Sequence, residues 1–462
     1  FSSKTYSLMI SGLYKVLPQI EVYTIVFFVI NFFSWLFVTK IILEKLGKVN
    51  LSILLILLSI GLFYQIPSYI DLQFTVVSCL ASLSAIVCFS FTSGKSRYFY
   101  FILFLLGIAI RPDTFGFVLL LFFILSFANL KFNASGIKKL SFDLGIVLII
   151  GISFIKLDQF SLTEKEESFK NFNTYKGSVF DYELYKSNEY YKRTMPLYSN
   201  WFLSDPCINS SHIDYGSKEF KFGFDEIFSQ SRIKYRLSQT KDYFLKIISN
   251  EKISLPVLFT LFLGLTLFKR KSIKFLITFT LLCLFIIVIN IMFKPVPYRL
   301  ILPMFAFLFV FSYLSTESQP FLGISKILLS GIFIVYALIF AKSNVNRLFW
   351  TYNPCNEILN LNSKDLYVVG PYYDFENVNP FKVPDFRDKN LILSGTYSYF
   401  NTLDYSNLQK SGQSIYLLET VNAKFINIWQ KHLLEYHQIQ TEISVKPLNQ
   451  TYEIQELRFK NQ

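Results

Sequence analysis

The chain lacks the short motifs that mark nucleotide-binding and zinc proteins. It has no Gly-x-Gly-x-x-Gly after a strand and no Walker loop, which argues against energy coupling through bound ATP. Its three histidines, His212, His432 and His437, do not have the spacing of zinc ligands. The last two are five residues apart on a predicted helix, so a repeat of 3.6 residues is expected to turn them to different faces. The histidines are therefore interpreted as ordinary surface residues and not as metal ligands.

Charged residues are also scarce. Asp, Glu, Lys and Arg make up 17% of the 462 residues, below the roughly 25% usual in soluble domains. Hydrophobic residues make up 52%, and the 52 phenylalanines far exceed what a soluble core requires. The chain is therefore predicted to be a membrane protein. Its formal net charge of +13 does not indicate nucleic-acid binding, because most short-loop basic residues flank apolar stretches, as in other membrane proteins.

Ten apolar stretches have the composition of spanning helices. In a bilayer each segment must satisfy its own backbone hydrogen bonds, which favours helices over irregular chain. The predicted spans are residues 21–43, 51–69, 73–91, 98–110, 114–130, 141–156, 253–268, 273–293, 299–315 and 323–341. The predicted fold class is a mainly α, polytopic membrane protein with a large non-cytoplasmic loop domain and a small C-terminal α/β domain.

The basic loops alternate with the large polar regions when the predicted helices are counted in turn. One set of loops carries Lys45, Lys48, Lys95, Arg97, Lys131, Lys138, Lys139, Lys269, Arg270, Lys271 and Lys274. The positive-inside rule makes these loops cytoplasmic. The sequence therefore predicts an integral membrane protein whose large polar regions lie on the non-cytoplasmic side.

These spans divide the chain into five predicted regions. They are an outer juxtamembrane segment at 1–20, six helices at 21–156, a large outer loop at 157–252, four helices at 253–341 and an outer α/β domain at 343–462. Within the loop, residues 163–172 and 224–248 are predicted to be helical. Within the last region, strands are predicted at 365–371, 390–394 and 452–457 and an amphipathic helix at 422–437.

Arg111, Pro112 and Asp113 interrupt an apolar stretch that is about twice the length a bilayer requires. Proline removes a backbone donor and disfavours helix in the preceding residue, so two helices are expected to meet here at the outer surface. Ionisable groups at membrane depth are costly and usually face a cavity or a partner. Arg111 and Asp113 either pair locally to cap the break or serve a functional site.

A second group of polar residues precedes the span at 299–315. Arg299 opens this span and follows Lys294 and Tyr298. The two basic residues either reach lipid headgroups or join Arg111 in an outward-facing pocket for a phosphate or pyrophosphate. Arginine suits this role because its planar fork binds phosphate oxygens in pairs. In this interpretation Asp113 and Tyr298 support the three cations.

The outer loop supplies further candidates. Its possible acids are Asp181, Glu183, Asp205 and Asp214, and Trp201 lies in an aromatic stretch of the same loop. Cys207 and Cys355 both lie outside the membrane and are candidates for a disulfide between loop and tail. The other three cysteines, Cys79, Cys88 and Cys283, lie in predicted spans and are interpreted as packing residues.

Three segments of the chain resemble polytopic glycosyltransferases of the GT-C superfamily. Residues 107–113 (GIAIRPD) are similar to the G-x-A-x-x-Arg-Pro stretch of those enzymes, and residues 297–303 (PYRLILP) resemble their late helix start. The amphipathic segment from Tyr6 to Glu21 looks like their juxtamembrane segment. A narrower likeness, to uncharacterised bacterial envelope proteins, includes the loop with Asp181 and Asp205, four spans and an α/β tail.

The resemblance implies an enzyme of the bacterial inner (plasma) membrane that takes a sugar from a polyprenyl-phosphate donor at the outer, periplasmic or extracellular, face. The acceptor is a glycan, a lipid or a protein, and an outer-loop carboxylate deprotonates its hydroxyl. Asp181, Asp205 and Trp201 are then assigned to the acceptor side.

Arg111 and Arg299, with Lys294, would neutralise the leaving phosphate, and a divalent metal is the alternative. No residue matches the family's acid in the first outer loop. Since the chain begins at Phe1, we expect this catalytic base upstream of it.

Two other classes of protein fit the same general layout. A flippase or transporter of lipid-linked saccharides also carries cationic sites at membrane depth, but usually between internal repeats, and none is evident here. An O-antigen polymerase or ligase also combines many helices with a large outer loop. Both remain alternatives to the transferase.

Overall fold

The structure, a computed structural model, describes residues 3–17, 22–46, 61–65, 73–92, 94–129, 134–164, 166–167, 230–267, 272–292, 296–314, 335, 365–369, 390–393, 403–420, 424–447 and 452–460. The chain forms two compact units. The helical unit consists of Phe1–Leu162 and Gly223–Leu348, and the sheet unit consists of Thr163–Phe222 and Phe349–Gln462. The region 157–252, predicted to be one outer loop domain, is thus divided between the two units, because its last helix packs with the membrane helices.

Ten α-helices of the helical unit lie within the described residues. They are α1 (Lys4–Val16), α2 (Val22–Leu46), α3 (Phe74–Phe91), α4 (Tyr100–Ile110), α5 (Thr114–Asn129), α6 (Ala134–Phe160), α7 (Gln230–Ser249), α8 (Glu251–Leu267), α9 (Ser272–Met292) and α10 (Tyr298–Leu314). A short π-helix at Gly61–Gln65 and a 3-10 helix at Lys95–Phe99 accompany them. The described part of the chain is therefore mainly α.

Three of these helices are long and apolar enough to cross a membrane: Val22–Glu44, Phe74–Phe91 and Ile273–Met292. They identify a membrane protein, as predicted. Two shorter apolar helices lie at Thr114–Ser126 and Leu300–Ser312. The layout of ten spans stays a prediction, because the spans at 51–69 and 323–341 fall largely outside the described residues.

Helices α3 and α10 run in the same direction. Phe91 near the end of α3 contacts Phe311 near the end of α10, with ring centroids 5.2 Å apart. The start of α10 lies at the other end of the unit, because Phe285 in the second half of α9 contacts Phe117 in the first turn of α5, with ring centroids 5.8 Å apart, and α10 begins six residues after α9 ends. Arg111, between α4 and α5, lies at that same end because its side chain binds Thr75 in the first turn of α3. We call this the Arg111 end.

At the opposite end of the helical unit, which we call the basic end, an ion pair and aromatic packing connect neighbouring helices. Arg97 lies 2.5 Å from Asp143 of α6, and Phe37 of α2 contacts Tyr100 of α4 at 5.3 Å. The basic residues of the predicted cytoplasmic loops that the structure describes at this end are Lys95, Arg97, Lys138 and Lys274. The side of the membrane that this end faces stays a prediction.

The sheet unit contains a mixed sheet of five strands. These are β1 (Leu366–Val369), β2 (Leu391–Leu393), β3 (Ile415–Thr420), β4 (Thr441–Pro447) and β5 (Tyr452–Phe459), in the order β2-β1-β3-β5-β4. The strand β1 pairs in parallel with β2 and β3, whereas β5 is antiparallel to both β3 and β4. The predicted strands correspond to β1, β2 and β5. The structure adds β3 and β4 to them.

Two helices, α11 (Tyr405–Ser411) and α12 (Phe425–His437), complete the described part of the sheet unit. Trp429 of α12 is fully buried and donates a hydrogen bond from Nε1 to the Tyr405 hydroxyl at 3.0 Å. The expectation that His432 and His437 face apart was wrong: their ring centroids lie 5.6 Å apart. The His437 ring also lies 4.9 Å from the Tyr405 ring, so packing against α11, and not the helical repeat alone, sets its direction.

Glu456 of β5 gives the sheet unit a pH-dependent contribution to stability. A hydrogen bond from Arg458 holds the pKa of its carboxyl down at about 2, and Ser444 of the neighbouring strand also donates to it at 3.0 Å. A carboxyl whose pKa is lowered by folding stabilises the fold above the unfolded pKa, about 4.3, and loses that effect as the pH falls to about 2.

We therefore expect Glu456→Gln to weaken amide-exchange protection of β5 in the intact chain at pH 6, with the difference from wild type shrinking steadily toward pH 2.5. Glu442→Gln is the matched control, because Glu442 is an exposed carboxylate on β4 that pairs with exposed Lys460. An equal loss of protection at both pH values would contradict the role of the Glu456 charge.

Candidate functional site

At the break before Pro112, the backbone N–H and carbonyl of Arg111 both form hydrogen bonds. Helix α4 ends at Ile110, and Arg111 is extended, with φ −152° and ψ 94°, as expected for a residue before proline. Its carbonyl accepts hydrogen bonds from the backbone N–H and the hydroxyl of Thr114, at 3.1 and 2.8 Å. The two predicted helices thus meet at a capped junction, and the interruption of the apolar stretch is confirmed.

The Arg111 side chain is held on two sides by α3. Its Nη1 donates to Thr75 Oγ1 at 2.6 Å, and its Cζ lies 4.9 Å from the centroid of the Phe74 ring. The side chain is 21% exposed. A guanidinium placed over an aromatic face and hydrogen-bonded at one edge has few rotamers left, so its charge is fixed at this end.

Asp113 pairs with Arg111 only loosely. Arg111 Nε lies 4.0 Å from Asp113 Oδ2, and the Asp113 side chain is 69% exposed. An exposed pair at this distance contributes little stability, about 0–1 kcal/mol. The local pairing considered from the sequence is therefore present, but the hydrogen bond from Arg111 to Thr75, at 2.6 Å, is the closer contact.

The turn before α10 belongs to the same end. The backbone N–H of Val296 donates to Asn290 Oδ1 at 2.8 Å, and the Val296 carbonyl accepts from the Tyr243 hydroxyl of α7 at 2.7 Å. Tyr298 and Arg299 are the first two residues of α10. Their side chains, and Lys294, lie outside what the structure describes. Backbone positions thus bring Arg299 to the Arg111 end, where unsatisfied N–H groups of a helix start favour anions.

The amphipathic opening of the chain forms α1 and docks at the same end. The Ser3 N–H donates to the Ala109 carbonyl at 2.8 Å, two residues before Arg111. Asp158, at the end of α6, accepts from both the backbone N–H and the hydroxyl of Thr5 at 3.1 Å. This carboxylate, 9% exposed, therefore neutralises the positive end of the α1 dipole. Sequence reasoning missed it, although its position at the end of an apolar span was a usable signal.

Tyr6 of α1 is buried inside the helical unit near the Arg111 end. It is 2% exposed and stacks on Phe27 of α2, with centroids 6.2 Å apart. Burial raises the pKa of the Tyr6 hydroxyl far above its ordinary value, and nearby Tyr23 adds to the shift. Tyr6 is therefore neutral at physiological pH and is unsuited to act as a general base.

Several sequence-predicted site residues fall outside the described part of the chain. Asp181, Trp201 and Asp205 of the acceptor side and the Cys207 and Cys355 pair are in this group. Where the chain is described, Cys79, Cys88 and Cys283 are free thiols. Among all the residues that the structure describes, no three or more His, Cys, Asp or Glu side chains form a cluster that could hold a metal ion.

Comparisons with known proteins add no relative to this description. A scan against protein-family models, a search of the curated proteins and a search of the solved structures each give no match. The likeness to GT-C glycosyltransferases therefore stays a prediction from the quoted motifs.

Proposed function

We propose that this chain is a membrane glycosyltransferase of the GT-C type. It transfers a sugar from a polyprenyl-phosphate donor to a glycan, lipid or protein acceptor of the cell envelope. The observation that carries this proposal is the fixed, partly exposed guanidinium of Arg111, at the same end of the unit as the start of α10. A held arginine beside a helix N-terminus is a suitable receptor for a phosphate.

In this proposal the Arg111 end faces the periplasm, with the bilayer around the spanning helices. The support is the group of basic residues in the short predicted loops at the opposite end, which includes Lys95, Arg97 and Lys274. The lysines of α7 belong to the long segment 157–252, and the positive-inside rule does not count long loops. Cytoplasmic loops of inner-membrane proteins carry an excess of such residues. A lipid-linked donor would then present its phosphate at the level of Arg111, with its chain in the bilayer.

The proposed reaction forms one bond and breaks one bond at the anomeric carbon. The acceptor oxygen attacks this carbon while a carboxylate accepts its proton, and the bond from the carbon to the phosphate oxygen breaks. Polyprenyl phosphate leaves with the electron pair, and Arg111, Arg299 and Lys294 neutralise its growing negative charge.

Thr75 and Phe74 have a positioning role in this scheme. They hold the guanidinium of Arg111 before the donor arrives, which reduces the reorganisation needed as charge develops. Asp113 and Tyr298 support the same cations. Asp181, Asp205 and Trp201 are proposed to contact the acceptor.

The test is transfer of label by the purified protein from a radiolabelled polyprenyl-phosphate hexose to envelope acceptors. We expect Arg111→Ala and Arg299→Ala each to lower the rate by about 100-fold or more, because removal of one donor that stabilises transition-state charge costs about that much. Arg111→Lys should retain part of the activity, since it keeps the charge and loses the fork.

Lys40→Ala is the matched control, because Lys40 is an exposed cation near the basic end, paired with Glu44 at 3.7 Å. It should transfer sugar at the wild-type rate, and all variants should reach the membrane in equal amounts. Normal turnover by Arg111→Ala would remove Arg111 from the site. Translocation of the donor across vesicles without bond cleavage would identify a transporter instead.

A further inference from the structure

Helix α7 has two faces of different character. The face that packs on α8 and α9 carries the buried residues Arg236, Thr240, Tyr243 and Ile247. The other face alternates exposed lysines with exposed aliphatic side chains: Lys234, Leu237, Lys241, Leu245 and Ile248. Ile248 is 68% exposed and Leu245 is 53% exposed. Large aliphatic side chains so open to the surroundings indicate a surface that contacts something other than water.

The position of α7 along the helical unit follows from one hydrogen bond. Tyr243 donates to the carbonyl of Val296, four residues beyond Met292, where the candidate span Ile273–Met292 ends. A spanning helix ends where the bilayer surface lies. The hydrogen bond therefore places Tyr243, in the second half of α7, just beyond the end of this candidate span, at the level expected for the lipid headgroups. The basic composition of α7 is unsuited to a spanning helix.

We propose that the exposed face of α7 lies in the membrane interface and binds anionic phospholipid headgroups. Leu237, Leu245 and Ile248 enter the acyl boundary. The lysine stems lie beside them, with the ammonium groups at the lipid phosphates. Lys246 flanks this face, and the exposed acid Asp242 lies at its edge. The net positive charge of the face complements a leaflet rich in phosphatidylglycerol.

Neither water nor an apolar protein surface suits the mixture of lysines and aliphatic side chains on this face as well as the bilayer interface does. Water alone would leave three large aliphatic side chains of this face hydrated, and an apolar protein interface would leave the lysines without counter-charges. The bilayer interface satisfies both groups at once, at the depth where α7 lies. This inference concerns lipid binding alone and does not depend on sugar transfer.

The experiment uses the full chain in mild detergent, titrated with phosphatidylglycerol or with phosphatidylcholine of the same acyl chains. Bound lipid is counted by native mass spectrometry. We expect wild type to retain phosphatidylglycerol in preference to phosphatidylcholine, because each lysine near a lipid surface favours an anionic lipid about fivefold. The triple variant Lys234→Gln, Lys241→Gln, Lys246→Gln should lose at least about tenfold of that preference.

The matched control is Lys410→Gln, Lys424→Gln, Lys431→Gln, which removes the same charge from exposed positions of the sheet unit. It should keep the wild-type preference. Addition of 0.5 M salt should weaken the preference in wild type, and millimolar inorganic phosphate should leave it unchanged if the ligand is a lipid. The proposal is overturned if wild type shows no preference, if the α7 variant keeps it, if the control loses it equally, or if inorganic phosphate displaces the lipid.

Discussion

Gly107→Ala is expected to destabilise the helical unit by about 1–3 kcal/mol, which is the usual cost of overpacking a tight interface. A Cβ at this position would lie 2.3 Å from Ser82 Oγ and 2.9 Å from both the Ser78 carbonyl and the Ser82 amide nitrogen. Two of these three atoms belong to the backbone of α3, so α3 and α4 must separate to make room. The measurement is the midpoint of thermal unfolding of the purified protein, followed by tryptophan fluorescence.

Gly116→Ala is the matched control for this substitution. Gly116 also lies in a helix, but a Cβ there meets nothing within 4 Å. Alanine has the higher helix propensity, so this variant should be as stable as wild type or slightly more stable. Ser82→Gly in the Gly107→Ala background should recover only part of the loss, because the backbone contacts remain. Equal midpoints for Gly107→Ala and Gly116→Ala would show that α3 and α4 are not this closely packed.

Gly107 also has a consequence for the proposed site. Its carbonyl accepts a hydrogen bond from Ser78 Oγ at 2.7 Å, and the same hydroxyl lies 2.7 Å from Thr114 Oγ1. Ser78 therefore ties the end of α4 to the start of α5. A separation of α3 from α4 would move Arg111 away from Thr75. We expect Gly107→Ala to reduce sugar transfer even in the fraction that remains folded.

Asp143→Ala is expected to cost about 3–5 kcal/mol, the usual penalty for breaking a buried ion pair on one side. Asp143 and Arg97 lie 2.5 Å apart, and their side chains are 4% and 16% exposed. The guanidinium also lies over the Phe89 ring, with Cζ 3.8 Å from its centroid. Removal of the carboxylate leaves that charge in a largely apolar setting. The stability loss is measured by the same thermal unfolding midpoint.

Two comparisons separate the ion pair from general effects of substitution. Glu44→Ala breaks the exposed pair of Lys40 and Glu44, whose side chains are both 59% exposed, and should cost less than about 0.5 kcal/mol. The double variant Arg97→Leu, Asp143→Leu should recover most of the loss, since a well-packed apolar pair can replace a buried ion pair. If Asp143→Ala is as mild as Glu44→Ala, the buried pair contributes nothing to stability.

Those features of the fold that depend on local chemistry were predictable. Proline at 112 predicts the break between α4 and α5, because it restricts the residue before it. The apolar strands β1 and β2 were recognisable as short apolar runs ending near turns. The strand β4 was missed because its side chains are mostly exposed and it pairs at the sheet edge with β5.

The candidate site was predictable only in part. Arg111 stood out because it is a charge in a long apolar stretch. Its partners did not, since Thr75 lies 36 residues earlier and is an ordinary residue of a predicted span. Asp143 and Asp158 were also missed, and their contacts join segments 46 and 153 residues apart. No spacing rule connects such residues, because helix packing decides their approach.

The amino-acid sequence by itself determined that this is a membrane protein, where its apolar helices are interrupted and which loops carry its basic residues. These properties follow from side-chain transfer energies and backbone restrictions that act over a few residues. Only the tertiary structure decided that Thr75 holds Arg111, that Asp143 meets Arg97 and that α3 leaves no room beyond a hydrogen at Gly107. Such contacts join distant segments and depend on how whole helices pack against one another.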